Sequence, residues 1–169
     1  SVDSGIPAFR GGQGLWEKYD PMEYAEIRAF NHNPEKVWVM LRAMSEVIFD
    51  SRPRPAHLAL GTLEKKGILK TVITQNVDGL HQVAGNTDVI EYHGNHRWLI
   101  CPNCSKKIPL AREVVSVYPY PRCEKCNMAL KPDVVFFGEG IPMIAAFRAN
   151  EEANVCNTLF IIGTSGVVY

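Results

Sequence analysis

Two cysteine pairs stand out in the second half of the chain: Cys101 and Cys104 in CPNC, and Cys123 and Cys126 in CEKC, one pair 18 residues after the other. A tetrahedral zinc ion takes four thiolates, and two short C-x-x-C turns can bring four sulfurs to one point. Both pairs lie in turn-forming sequence, where backbone N–H groups can hydrogen-bond the sulfurs and support the ligand geometry. A redox couple and a set of incidental buried thiols are the competing uses. A thioredoxin-like couple is a single pair opening a helix after a strand. Here there are two matched pairs, and CPNC runs into SKKIP, which has no helical pattern. Four thiolates leave no open coordination position, so one zinc per chain is expected to hold structure and not to activate water. Cys156, in NVCNTLF, is expected to be a buried thiol without chemistry.

The other chemistry-bearing residues are polar turns that follow short apolar runs. Gln75, Asn76 and Asp78 follow one run, Gly138 and Glu139 a second, and Gly163, Thr164 and Ser165 a third. Ligands of parallel α/β sheets bind beyond the carboxyl ends of the strands, so the three turns are expected to line one crevice. Asn, Asp and Gly also favour turns for reasons unrelated to ligands, and for any one turn alone that plainer reading competes. Five histidines are scattered along the chain. His93, in EYHGN, follows an expected strand at Val89–Glu91, whereas His32, His57, His81 and His96 are read as structural. The glycines of FRGGQG follow no strand and lack the G-x-G-x-x-G fingerprint, so they read as a loop.

These residues need a scaffold, and its elements alternate. Strands are expected at Thr71–Thr74, Val134–Phe137 and Leu159–Ile162. A helix from Pro34 has Asn33 to cap it, proline at its first position, and Val37, Leu41, Met44 and Ile48 along one face. A second helix is expected over Pro55–Lys66, stopped by Gly67, and a short one from near Gly79. Such alternation predicts an α/β fold, a parallel sheet with helices on both faces.

Composition narrows the functional classes. The chain has 169 residues, 46% of them hydrophobic, enough for one globular domain with a small insert. Lys and Arg number 18, as do Asp and Glu, so there is no global field to draw the chain to nucleic acid or an anionic membrane. No apolar run reaches the roughly 18 to 20 residues of a membrane span, and SVDSGIPAFRGG lacks the layout of a signal peptide. The cysteine usage implies an intracellular, reducing compartment, cytoplasm or nucleus.

Taken in order, SGIPAFRG, TQNVDGLH, EYHGN, the two C-x-x-C pairs, KPDVVFFGE and IIGTS resemble the sirtuins, the NAD-dependent protein deacylases. The resemblance implies a Rossmann-like domain over residues 1–96 and 132–169, with 12–55 supplying a helical part of the small domain, and a zinc module over 97–131. It makes His93 the general base and gives Asn76 a catalytic part as well. Asn76 and Asp78 would hold the nicotinamide ribose and carboxamide, and Gln75, Ser1 and Ile6 would also contact NAD. Phe9 and Arg10 would belong to a loop over the cofactor. Gly163, Thr164 and Ser165 would face its phosphates and ribose, while Val135, Phe136 and Phe137 would line the channel for an acyl-lysine protein or peptide.

The resemblance has departures. Relatives open with a strand and Gly-Ala-Gly before the serine that Ser1 matches, and they continue past GTS. Residues 1–169 alone are therefore expected to bind NAD poorly and turn over little. The glycine usual after the fourth cysteine is Asn127 here. Leu41 and Met44 occupy the places of the Tyr and Arg that hold succinyl groups in some relatives, so acetyl-lysine is expected over succinyl-lysine. Protein mono-ADP-ribosyl transfer on the same fold, and a non-catalytic zinc-ribbon binding module, are the alternatives. Against the second, the zinc segment has no recognition-helix pattern, and direct nucleic-acid binding is not expected.

Overall fold

The structure is a computed structural model, and it describes residues 2–8 and 14–164. A 3₁₀ turn at Val2–Ser4 precedes α1 (Leu15–Lys18), α2 (Pro21–Tyr24), α3 (Ile27–His32), α4 (Pro34–Asp50) and α5 (Pro55–Lys65). Then come β1 (Val72–Thr74), α6 (Leu80–Val83), β2 (Val89–Glu91), β3 (Gly94–Ile100), β4 (Lys107–Pro109), α7 (Arg112–Val115), β5 (Lys131–Val134) and α8 (Met143–Val155).

The longest helix begins and ends as its sequence dictates. Asn33 Oδ1 accepts from the Lys36 N–H at 3.1 Å and Pro34 takes the first helical position, where its missing N–H costs nothing. Val37 and Trp38 are fully buried on α4, with Met40 and Leu41 beside them, and they pack with Phe30 of α3. Successive turns of α4 also carry Trp38, Arg42, Glu46 and Asp50, a single i, i+4 row. Trp38 Nε1 donates to Leu130 O at 2.9 Å. Arg42 donates to the carbonyls of Val115 (3.1 Å), Val117 (2.9 Å) and Pro119. Glu46 and Asp50 both receive the guanidinium of Arg112, which lies 4.9 Å over the Phe49 ring. One helix face is thereby fastened to the segment around the cysteines.

β1 and β2 form a parallel pair in register Val72↔Val89 and Thr74↔Glu91, with α8 against β2 and α5 packed on α6. Glu64 of α5 reaches across to the turn before β2. Its carboxylate accepts from Thr87 Oγ1 (2.5 Å), Asn86 Nδ2 (2.6 Å) and the Thr87 N–H (2.8 Å), which holds the Glu64 pKa down to about 2. The second sheet is antiparallel, ordered β4-β3-β5. Gly94 begins β3 at φ +76°, and a Cβ there would lie 2.1 Å from Asp133 O, so any side chain would push β5 away. This sheet crosses positions 97 and 131. The central core lies between it and helices α1–α4, with Leu99, Leu130 and Cys101 against Phe30 and Trp38.

Three expectations need correction. The run from Val134 to Phe137 is not a parallel strand: its ladder is β5, which ends at Val134 and pairs antiparallel with β3. Beyond it the chain changes partners, the Val135 N–H donating to His93 O and the Phe137 N–H to Ala25 O. Leu159–Ile162 forms no strand and is exposed, because a strand exists only where a neighbour supplies a ladder, and none among the described residues lies beside it. Cys156 is exposed, just past α8, with its Sγ directed at Ala153 O. No helix among the described residues is long and apolar enough to cross a membrane.

Candidate functional site

The four cysteines converge. Their sulfurs lie within 4.8 Å of one another, at 3.4 Å for Cys101–Cys126, 3.6 Å for Cys104–Cys123 and 3.7 Å for Cys104–Cys126. Four sulfurs each about 2.3 Å from one tetrahedral centre would stand roughly 3.8 Å apart, so the set fits zinc closely. The two turns share a fold. Cys101 N–H donates to Lys106 O and Ser105 N–H returns to Cys101 O, just as Cys123 N–H donates to Met128 O and Asn127 N–H returns to Cys123 O. Ser105 and Asn127 both take positive φ, 57° and 58°. Asparagine tolerates this conformation better than most residues, which is why the missing glycine at position 127 leaves the turn intact.

Charge on the sulfurs is unequal. The Met128 N–H, followed by hydrogen bonding from Asn103, brings the Cys126 thiol down to about 6. Cys104 is pushed up to about 11: the Lys106 N–H favours its thiolate, but desolvation and the sulfurs of Cys123, Cys101 and Cys126 resist further charge. A donor set that resists full ionisation alone suits a dication that can neutralise it.

A second convergence is centred on His93, where the chain turns from β2 into β3. Its backbone neighbourhood is pinned from both sides: Tyr92 N–H donates to Thr74 O at the end of β1, and His93 O accepts from Val135 N–H after β5, each at 2.9 Å. The imidazole is half-buried, and burial lowers its pKa below the ordinary 6.5 against an opposing hydrogen bond with the Gln75 backbone. A neutral imidazole of this kind can accept a proton near neutral pH. Gln75 and Asn76 are exposed at the end of β1, with the Asn76 N–H on Thr74 Oγ1 at 3.1 Å. Asp78 is half-buried and its Oδ1 accepts from the Leu80 N–H at 3.0 Å, starting α6. The β1 turn, the β2 end and the segment after β5 thus meet around His93.

Other expected residues are placed differently. Phe136 is 4% exposed and set edge-on against Phe30, so Val135 and the partly exposed Phe137 carry the accessible surface of that trio. Glu139 turns back to Lys131 instead of opening onto the crevice. Ile6 is buried near the start of the chain. Gly163 and Thr164 lie in the exposed stretch after α8. Ser1, Phe9, Arg10 and Ser165 fall outside the described residues.

Some neighbours of His93 were not singled out by sequence reasoning. Arg97 of β3 grips Glu91 of β2 with two bonds, 2.5 and 2.7 Å, and Gln82 of α6 donates to the same carboxylate at 2.8 Å. The alternation of acid and base in EYHGNHR was the available signal. Next to Asp78, the rings of His57 and His81 stand 5.1 Å apart, and burial lowers the pKa of both.

Comparison with known proteins gives a consistent result. Residues 1–169 match the sequence profile described as the Sir2 family. The chain is 47% identical over 169 residues to NAD-dependent protein deacylase 2 of Pyrobaculum aerophilum, covering 100% of this chain and 67% of that protein. It is 45% identical over 169 residues to the NAD-dependent protein deacetylase of Thermodesulfovibrio yellowstonii, covering 98% of this chain and 66% of that protein. A solved Sir2 homolog–NAD complex shares the fold with a TM-score of 0.82 at 43% identity, over 90% of this chain and 59% of the other. The chain therefore spans about two thirds of the length of the curated relatives it matches.

Proposed function

This chain belongs to the Sir2 family, and from that premise we propose that it serves as an NAD-dependent protein-lysine deacylase, with residues 97–131 as a zinc-binding insert in a nucleotide-binding domain. The observation that carries the reading is His93, a half-buried imidazole kept neutral at the meeting point of three chain segments. Bound NAD would supply a ribose to receive the acyl group, with nicotinamide leaving. His93 would take the proton from the attacking hydroxyl. Asn76 and Asp78, on the adjoining turn, would orient that ribose and the carboxamide. Val135 and Phe137 would flank the acyl-lysine and exclude water from it.

The acyl group is read from α4. Leu41 is 6% exposed and Met44 packs half-buried against the same core, so neither offers a charge-assisted hydrogen bond. Arg42, between them, is committed to three carbonyls. A succinyl carboxylate held there would lose water without gaining a partner, a cost of several kcal/mol that an acetyl group does not incur. Nicotinamide release from NAD by the native protein, measured with acetyl- and succinyl-lysine versions of one peptide, tests both levels of the proposal. Release with the acetyl peptide at higher kcat/KM is expected. No peptide-dependent release rejects the deacylase reading, and faster succinyl removal rejects the acyl preference alone.

A further inference from the structure

Lys131 opens β5 and is 5% exposed, a costly place for an ammonium group unless every donor is paired. Its Nζ donates to Val134 O at 2.7 Å and Pro132 O at 3.3 Å, lies 3.0 Å from Glu139 Oε2, and sits 4.6 Å over the Phe136 ring. The same Glu139 oxygen accepts from the Phe136 N–H at 2.8 Å, while the Glu139 N–H donates to Phe136 O at 3.0 Å. Gly138 makes this return possible at φ +83°, with Glu26 and Ile27 so close that a Cβ would lie 3.0 Å from Glu26 Oε1. Two charges at the ends of KPDVVFFGE therefore close a loop of chain that includes Val135, Phe136 and Phe137.

We infer that Lys131 and Glu139 are positioning residues for the acyl-lysine substrate: their ion pair fixes the Val135–Phe137 segment in the one backbone path that presents it beside His93. The inference rests on the reading of that segment as the substrate contact. Stability alone does not account for the pair, because well-packed apolar side chains of similar volume serve a buried site as well or better. An ion pair with directional partners, its ammonium buried and its carboxylate partly exposed, does something an apolar pair cannot, which is to select a single geometry. Here that geometry matters, since the Val135 N–H is bonded to His93 O, and a shift of the segment would be felt at the imidazole and at the apolar walls together.

The test uses the native protein with Lys131→Met/Glu139→Gln, which leaves no unpaired buried charge and retains an acceptor for the Phe136 N–H, and with Lys131→Arg. For the double variant, kcat/KM for an acetyl-lysine peptide is expected to fall on the order of 10²-fold, the scale of an ångström-level misplacement. KM for the peptide rises while KM for NAD holds, and Lys131→Arg recovers most of the loss. Amide hydrogen exchange at Phe136 and Phe137 accelerates in the ligand-free double variant. If the double variant does not fold, Glu139→Gln alone is used, with the same pattern at a smaller fold-change. Wild-type peptide kinetics in a folded variant, or parallel changes in both KM values, overturn the inference. Should the wild-type protein transfer no acyl group, the proposed function fails by itself, and the pair is judged by exchange: unaccelerated exchange at Phe136 overturns it.

Discussion

At the scale of single residues, His93 shows how a fold sets a protonation state without an ionic partner. Its pKa is lowered by burial first, with the hydrogen bond to the Gln75 backbone acting the other way. The sign of the consequence follows directly. A base works in its unprotonated form, so activity should decline as pH falls through a folded-state pKa that lies below the ordinary imidazole value of about 6.5. Stability follows the same direction, because below about 6.5 the unfolded chain takes up a proton that the folded one resists. The kcat/KM–pH profile of the native protein is expected to show an acid limb centred below 6.5. His93→Ala should abolish that limb and lower the chemical step by roughly 10² to 10⁴, the usual contribution of a general base. NAD affinity should change far less. An acid limb centred above 7, or one that survives in His93→Ala, would assign it to another group.

At the scale of elements, α4 is the member that joins the helical part to the cysteine-bearing sheet, and Arg42 is its most connected residue. Its guanidinium serves the carbonyls of Val115, Val117 and Pro119 and lies 5.8 Å from the ring centroids of both Trp38 and Tyr118. Removing it leaves partly buried carbonyls short of donors, at about 1 to 3 kcal/mol for each that water cannot reach. For Arg42→Met, a Tm lower by about 2 to 4 °C per kcal/mol is expected in scanning calorimetry. Lysine should not restore it, because one ammonium group cannot reproduce the fork that spans three acceptors; a wild-type Tm in Arg42→Lys would refute this account. The start of α4 was legible in the sequence, since Asn33 and Pro34 act on their own turn, and Gly67, at φ +72°, likewise marks the stop after α5. The four cysteines were legible because their spacing is itself the ligand geometry. Strands fared worse: β1 and β2 came out, but the VVFF run takes its hydrogen bonds from His93 and Ala25, partners that no local pattern announces. The Lys131–Glu139 pair was hidden for a related reason. Charges eight residues apart read as solvated flanks of an apolar run until the chain is seen to fold back on itself.

At the scale of the whole molecule, the metal site and the helical part have one core between them. Cys101 and Cys123, 0% and 3% exposed, belong to the same buried cluster as Phe30, Trp38 and Leu130. The row of contacts along α4 adds the Trp38 bond to Leu130 O, seven residues after Cys123. Metal binding free energy is folding free energy wherever the site forms only on folding. Here the sulfurs hold two turns whose Leu99 and Leu130 neighbours pack directly beneath the helices, so loss of the ion should not stay local. One zinc per chain is expected by elemental analysis, and chelation should lower the temperature at which α1–α4 and the cysteine-bearing sheet unfold as a single cooperative unit. Hydrogen exchange distinguishes this from an independent module: protection at Trp38 and Leu41 should collapse together with protection at Leu99 when the metal is removed. Unchanged protection along α4 in the metal-free protein, with exchange confined to the two cysteine turns, would show the module to be separable and would defeat the shared-core argument.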